Sequence, residues 1–198
     1  AEGRLAAEAW PEIAPRLENC DACLIGPGLG RGPGVTAVVR EVLAHSRVPL
    51  VVDADGINAL SGHMDVLRGA ACPVVLTPHD GVFLRLGGDG AAARFDAAAA
   101  LSRSTGAVVL RKGYRTIVTD GTRLRVNTTG NPGMATGGSG DALAGILLAL
   151  LGFGLPPLDA AAAAAWLHGA AGDRAAREIG QYGMTPSDLI LRIPELLP

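Results

Sequence analysis

The chain has 198 residues, of which 48% are hydrophobic, so it is large enough to bury the core of a single domain. Its formal net charge of −2 provides no basic surface for nucleic acid or an anionic membrane. The longest apolar run, residues 142–155, is interrupted by glycines and is too short to span a bilayer. We therefore expect a cytoplasmic protein without nucleic-acid or membrane partners.

Six short apolar runs predict β-strands, and the first four are continuous rather than alternating, as in strands buried on both faces. In chain order they cover residues 21–26, 48–53, 73–77, 107–110, 116–119 and 124–127. The Asp120-Gly121 pair between the last two runs predicts the turn of a β-hairpin.

Helical patterns separate most of these runs. They cover residues 35–45, 64–68, 91–104, 141–151, 158–179 and 186–197, and a short helical segment covers residues 4–17. Because strands and helices alternate, we predict one α/β domain with three layers, α/β/α, and a mostly parallel sheet.

Two of the three cysteines, Cys20 and Cys23, form a CxxC pair that is compatible with a zinc or redox site. No second pair of cysteines or histidines completes a tetrahedral set of ligands. We therefore favour reduced cysteines that act as small apolar side chains, and we predict no metal site.

Glycine-rich or polar segments follow the first three strands, with the sequences GPGLGRG, DADGIN and TPHDG. Ligands of open α/β sheets bind outside the carboxyl ends of the strands, so these segments predict one composite pocket. Ordinary loop composition is the alternative. Asp53 and Asp55 are candidate cation ligands, although Asp55 could instead cap a helix that starts near Gly56.

The segment GGSGD, residues 137–141, precedes a helical pattern. Unpaired N–H groups at a helix N-terminus attract anions, and glycine lets the backbone approach a phosphate closely. We predict an anion hole in which Asp141 is the reactive carboxylate, a base for a substrate hydroxyl. A simple N-cap by Ser139 or Asp141 is the alternative.

The segment RKGYRT contains Lys112, the only lysine among 17 basic residues. Its charge, the close approach allowed by Gly113 and the hydroxyl of Thr116 suit a phosphate, although a solvated loop would have the same composition. GPGLGRGPG fits neither a P-loop nor the dinucleotide fingerprint of the Rossmann fold.

Together, IGPGLGRG, VVDADGIN, VLTPHDG, RKGYRT and NTTGNPGMATGGSGDALAG resemble the ADP/ATP-dependent NAD(P)H-hydrate dehydratase family, which has a ribokinase-like fold. The resemblance implies a repair enzyme that dehydrates the 6-hydroxylated forms of NADH and NADPH (NADHX and NADPHX). ADP or ATP would be the co-substrate, with Mg²⁺. Asp141 would assist the attack of the 6-hydroxyl on the terminal phosphate.

The resemblance also assigns roles to individual residues. The nucleotide-binding set is Lys112, Gly113, Tyr114, Arg115, Thr116 and Gly140; the anion hole is Gly137, Gly138, Ser139 and Gly140. The residues expected at the hydrated cofactor are Gly28, His79 and Asp141, with Asn58 and Asn131 as pocket candidates. His79 could instead be a loop histidine bonded to backbone, and His168 is interpreted as a packing or supporting residue.

Two departures from the family pattern stand out. Where the family commonly has PHPGE this chain has PHDGV, so Val82 replaces the glutamate. Family members also carry an N-terminal portion before IGPGLG, and we expect that part of it is absent here. The resulting sheet edge would need cover, and we expect a homo-oligomer. A vitamin-precursor kinase and a non-catalytic nucleotide-binding module are the alternative functions.

Overall fold

A six-stranded, mostly parallel sheet forms the centre of the computed structural model, which describes residues 5–197. The strands lie in chain order: β1 (Cys23–Ile25), β2 (Leu50–Val52), β3 (Val74–Leu76), β4 (Val108–Arg111), β5 (Ile117–Thr119) and β6 (Leu124–Val126). The first four are parallel, and β5 and β6 are antiparallel. All six predicted strands are therefore present. Arg4, where the predicted N-terminal helical segment begins, lies outside the described residues.

Eight α-helices lie in the described part of the chain: α1 (Trp10–Leu17), α2 (Pro33–His45), α3 (Ala54–Ala59), α4 (Asp80–Arg85), α5 (Arg94–Thr105), α6 (Ser139–Gly152), α7 (Pro157–Ile179) and α8 (Pro186–Ile190). Short 3₁₀ helices cover Ala7–Ala9, Met64–Gly69, Pro132–Met134 and Pro194–Leu196. Most of the predicted helices appear within a few residues of their expected bounds.

The two faces of the sheet pack against separate apolar cores. Along β2, Leu50 and Val52 join the core that includes residues of α2 and α5, while Val51 joins the core formed with α6 and α7. Alternate residues of a strand point to opposite faces, so continuous apolar strands require cover on both sides. The predicted three-layer α/β/α architecture is confirmed.

The sequence prediction missed α4 and gave α3 only as a possible helix near Gly56; each has six residues. Helices of this length are too short to show a clear apolar periodicity. The helix expected near Gly56 begins at Ala54, and its N-cap is Asp53 rather than Asp55. At the C-terminus, the predicted helix over 186–197 is divided into α8 and a 3₁₀ turn that begins at Pro194, because proline cannot donate the helical hydrogen bond.

The predicted hairpin joins β5 to β6. Gly121 has a φ of +90°, and the Asp120 carboxylate accepts hydrogen bonds from the backbone N–H groups of Thr122 and Arg123. At the other side of the sheet, β1 pairs only with β2 within residues 5–197, so β1 forms an edge there. None of the described helices combines the length and apolar character needed to cross a membrane.

Candidate functional site

A cavity of about 1020 Å³ opens beside the carboxyl ends of β3 and β4. Four segments contribute to it: the loop after β3, the loop after β4, the segment that follows β6, and the start of α6 with the facing side of α7. The predicted site residues among its lining are His79, Lys112, Gly113, Tyr114, Arg115, Thr116, Asn131, Ser139 and Gly140. The structure therefore brings together motifs that are distant in the sequence.

The loop 112–116 is held from two sides. The Lys112 N–H donates to the Pro78 carbonyl at 2.8 Å, which continues the pairing of β3 with β4. The Arg94 guanidinium of α5 donates to the carbonyls of Tyr114, at 2.8 Å, and Lys112, at 3.3 Å. Arg115 has a φ of +52°, which is strained for a side chain with a Cβ. These contacts fix the loop with Tyr114 largely exposed at the cavity.

Lys112 connects three elements of the fold. Its ammonium Nζ lies 2.8 Å from Oδ1 of Asp53, at the end of β2. The same atom lies beside Gly140, where a Cβ added to the glycine would be 3.4 Å from Nζ. The ammonium is therefore next to the N-terminus of α6.

The first turn of α6 has the character of an anion site. Gly138 occupies the N-cap position with a φ of +87°, and no side chain within residues 5–197 caps the helix. The alternative reading of Ser139 or Asp141 as an N-cap is therefore wrong. Uncapped N–H groups and the helix dipole leave partial positive charge at this point, which favours a phosphate.

Behind this turn, His168 of α7 is buried and contacts Ser139, with 3.3 Å between His168 Nε2 and Ser139 Oγ. Burial lowers the pKa of His168 to about 4; the charge of Lys112 acts in the same direction, and a hydrogen bond with Ser139 opposes it. His168 is thus neutral at pH 7. The sequence indicated only a packing or supporting role, because the Ser139 contact joins residues 29 positions apart.

The segment that follows β6 is fastened to α7 by four hydrogen bonds. Asn127 Nδ2 and Thr129 Oγ1 donate to main-chain carbonyls of α7 at 3.1 and 2.9 Å. The Asp173 carboxylate accepts from the Gly130 N–H at 2.8 Å and from Asn131 Nδ2 at 3.0 Å. Asn131 therefore lies at the cavity in a fixed position, and Asp173 is a supporting residue that the sequence did not reveal.

His79 is the N-cap residue of α4 and lines the cavity. Its Nδ1 accepts a hydrogen bond from the Gly81 N–H at 3.1 Å. His79 is therefore bonded to backbone, as the alternative interpretation expected, and it also lines the cavity. Burial, followed by the charges of Lys112 and Arg85, lowers the pKa of His79. A neutral ring with Nδ1 as acceptor carries its proton on Nε2, the nitrogen left available to a ligand.

Asp80, next to His79, was not predicted as a site residue. Its Oδ1 lies 2.8 Å from Arg111 Nε and 3.6 Å from Arg94 Nη2. The Arg111 guanidinium is nearly buried and lies 4.0 Å above the centre of the Phe83 ring. Asp80 therefore holds together the two arginines that flank the loop 112–116.

Five predicted residues lie outside the lining of the cavity: Gly28, Asn58, Gly137, Gly138 and Asp141. Gly28 is in the exposed loop after β1, and Asn58 is bonded to Asp55 and Arg85. The sequence predicted one pocket formed by the loops after β1, β2 and β3. In the structure, the loops after β1 and β2 do not line the cavity. Asp141 is exposed in the first turn of α6, adjacent to Gly140. The roles of these five residues stay predictions, as do those of the predicted residues that line the cavity.

The described carboxylates nearest to the cavity on the strand ends, Asp53, Asp55 and Asp80, all have partners. Asp53 is paired with Lys112, Asp55 accepts from the Gly30 N–H, and Asp80, the only carboxylate among the described lining residues, is paired with arginines. No cluster of three or more potential ligands occurs within residues 5–197, and the three cysteines are free. A Mg²⁺ ion at this cavity would need oxygen ligands from a bound phosphate chain and water.

Comparison with known proteins identifies the family. The family model described as NAD(P)H-hydrate dehydratase matches residues 4–195. The chain belongs to this family. It is 48% identical to the bifunctional NAD(P)H-hydrate repair enzyme Nnr of Moorella thermoacetica and 42% identical to that of Salinibacter ruber, over 98% and 95% of its own length. It spans only 38% and 35% of the length of these curated relatives.

Solved structures agree with this assignment. An ADP/ATP-dependent NAD(P)H-hydrate dehydratase from Bacillus subtilis, co-crystallized with ATP/Mg²⁺, is 27% identical, with a TM-score of 0.80 over 96% of this chain and 76% of its own. A ribokinase-like superfamily protein from Enterococcus faecalis is 30% identical, with a TM-score of 0.82 over 96% of this chain and 67% of its own. These similarities confirm the prediction that the chain has a ribokinase-like fold.

Proposed function

We propose that the chain catalyses the nucleotide-dependent dehydration of hydrated NADH and NADPH, which restores the reduced cofactors. The observation that carries the proposal is the match to the NAD(P)H-hydrate dehydratase family over residues 4–195. The cavity supports it, because the family's nucleotide segment, residues 112–116, lines that cavity together with Gly140. A volume of about 1020 Å³ is at the upper end for ligand sites, as a reaction between two large ligands requires.

The proposed chemistry has two stages. First, the 6-hydroxyl oxygen of the hydrated ring attacks the terminal phosphorus of ADP or ATP, and the bond to the leaving AMP or ADP breaks. Asp141 takes the hydroxyl proton, and the N–H groups of residues 137–140 stabilise the transferring phosphoryl group. The phosphate ester then leaves from C6 with its bonding electrons, assisted by the ring nitrogen, and loss of a proton from C5 restores the double bond. The products are NAD(P)H, inorganic phosphate and the shortened nucleotide.

The co-substrate would bind with its phosphate chain toward Lys112 and Gly140. The Bacillus subtilis relative was co-crystallized with ATP/Mg²⁺, which supports a nucleotide and Mg²⁺ here. Mg²⁺ would neutralise charge on the phosphate oxygens and would arrive with the nucleotide, because Asp53 and Asp80 are already paired with cations.

The test is the recovery of reduced-nicotinamide absorbance from NADH hydrate with ADP, with ATP and with neither. The proposal expects nucleotide-dependent recovery with one phosphate released for each NADH formed. A stable phosphorylated product without free phosphate would instead identify a kinase. Nucleotide binding without turnover, in the chain and in a form extended at its N-terminus, would identify a non-catalytic binding module.

We also infer that the protein acts in the cytoplasm on free cofactors, without nucleic acid, as a homo-oligomer. The free thiols support a cytoplasmic location, and the net charge of −2 supports the absence of a nucleic-acid partner. The edge at β1 supports the homo-oligomer, because an edge strand can pair with a second chain. Light scattering during size-exclusion chromatography would measure the mass, and a monomer at micromolar concentration would contradict the oligomer.

A further inference from the structure

Asp53 is a buried carboxylate that lies behind the cavity rather than in its lining. It is 2% exposed and follows the last residue of β2. Its Oδ1 accepts two hydrogen bonds, from the Ala54 N–H at 2.8 Å and from Lys112 Nζ at 2.8 Å. A buried charge is costly unless it is paired, so the lysine is the natural partner for this carboxylate.

The position of Asp53 is fixed by its backbone. Its N–H donates to the Ile25 carbonyl at 3.1 Å, and its own carbonyl lies against Gly26, where an added Cβ would collide with it. The next residue, Ala54, has a φ of +46°, a conformation that costs about 1–2 kcal/mol for a residue with a Cβ. Such strain persists only where the surroundings determine the backbone, so the carboxylate is held rigidly.

Lys112 is the flexible member of the pair. Its backbone is anchored to Pro78 and Arg94, but a lysine side chain has four rotatable bonds and no intrinsic direction. The bond to Asp53 brings Nζ across the end of the sheet to Gly140, at the first turn of α6. The side chain is 19% exposed, and Lys112 is one of the residues that line the cavity.

We propose that Asp53 is a positioning residue, which holds the Lys112 ammonium at the start of α6 so that the ammonium contacts the terminal phosphate of the nucleotide. This inference rests on the proposed function, since it assigns the phosphate chain to this place. The two positive features, the ammonium and the helix N-terminus, then act on the same phosphate group.

Because Lys112 is the only lysine, the ammonium can be observed directly. In protein labelled with ¹⁵N-lysine, a single Nζ signal reports on its surroundings, and we expect ADP to shift it. In Asp53→Asn the free-state signal should move, ADP should bind roughly 10- to 100-fold more weakly, and kcat/KM for nucleotide should fall by a similar factor, as for the loss of a charged hydrogen bond. Asp120→Asn, in the distant hairpin turn, is the matched control and should leave the signal and ADP affinity unchanged.

A double-mutant cycle with Lys112→Met separates positioning from a general structural role. If Asp53 acts through the lysine, Asp53→Asn should change ADP affinity less than about twofold in the Lys112→Met background. The double variant should also melt at a higher temperature than Lys112→Met alone, because it removes an unpaired buried charge. Independent, additive losses of affinity would overturn the inference, as would an unchanged Nζ signal in Asp53→Asn.

These measurements use ADP binding and the lysine signal, so they do not depend on turnover. If the protein fails to dehydrate NADH hydrate while Asp53→Asn still displaces the signal and weakens ADP binding, the positioning role stands and the proposed reaction fails. If turnover is normal but the signal and the affinity do not respond to Asp53→Asn, the reaction stands and the positioning role fails.

Discussion

At the scale of single residues, the proposed reaction makes Asp141 the most informative side chain. Asp141→Asn should lower kcat by roughly 10²- to 10⁴-fold, the range for loss of a general base, while ADP binding is retained. Asp159→Asn is the matched control, because Asp159 is also an exposed carboxylate in the first turn of a long helix, α7. Steady-state kinetics and ADP titration would be measured together. Full activity in Asp141→Asn would contradict the assignment of the base.

The second prediction at this scale concerns His168 and acid stability. Its pKa is lowered from 6.5 to about 4 by burial, so the unfolded chain takes up the proton more readily than the folded one. The contribution to the free energy of unfolding is therefore complete above pH 6.5 and is lost as the pH falls toward 4, by about 3 kcal/mol. His79, whose pKa is also lowered, adds to the loss in the same direction.

Urea unfolding at a series of pH values between 4 and 7.5 would measure this loss. In His168→Gln, which stays neutral, the free energy of unfolding should depend less on pH over this range. The exposed His63 provides the control, because His63→Gln should retain the full dependence. If the free energy of unfolding of His168→Gln depended on pH as strongly as that of the wild-type chain, His168 would be excluded as the source of the pH dependence.

The residue scale also shows what the sequence reveals and what it does not. Lys112 is conspicuous because it is the only lysine, and the glycines around Ser139 mark the start of α6. The partners of these residues leave no comparable signal. Asp53 meets Lys112 across 59 positions and His168 meets Ser139 across 29, so only the fold reveals either pair.

At the scale of elements, α5 is predicted to control the shape of the nucleotide loop. Arg94→Ala removes hydrogen bonds to the carbonyls of Lys112 and Tyr114, and we expect the KM for nucleotide to rise about tenfold, because an uncompensated polar bond costs about 1–2 kcal/mol. Arg103→Ala is a close control: it lies on the same helix and donates to a carbonyl, that of Gly121, at the opposite end of the sheet. An equal rise in KM for both variants would show that α5 acts only through stability.

Elements differ in how well the sequence predicts them. The strands were predictable because continuous apolar runs are typical of parallel strands covered on both faces, as β2 and β3 are here. The short helices were harder to predict: α4 was missed, and α3 was expected only as a possible helix near Gly56. Each begins after a capping residue, Asp53 or His79, and is too short to show a clear periodicity. Both caps follow parallel strands at the edge of the sheet beside the cavity, where the chain leaves the strand and turns into a helix.

At the scale of the whole molecule, the layers follow from the alternation of strands and helices, but the order of the strands does not. The periodicity of apolar residues does not indicate which strands are neighbours. The ribokinase-like fold was predicted instead from the resemblance of the motifs, in their order along the chain, to those of the dehydratase family. The cavity is a property of this arrangement: it joins the loops after β3 and β4 to the segment after β6 and to α6 and α7. A ligand that contacts all of them should therefore stabilise the chain as a unit.

This leads to a prediction for thermal unfolding. A ligand that binds only the folded chain stabilises it by about 2.7 kcal/mol at 100 times its Kd, which raises the melting temperature by roughly 5–11 °C for a protein of this size. ADP should therefore raise the melting temperature of the wild-type chain and of Asp141→Asn, because the proposed base is not needed for binding. Lys112→Met should show a much smaller shift at the same ADP concentration. An equal shift in Lys112→Met would mean that the phosphate chain lies away from the lysine and the start of α6.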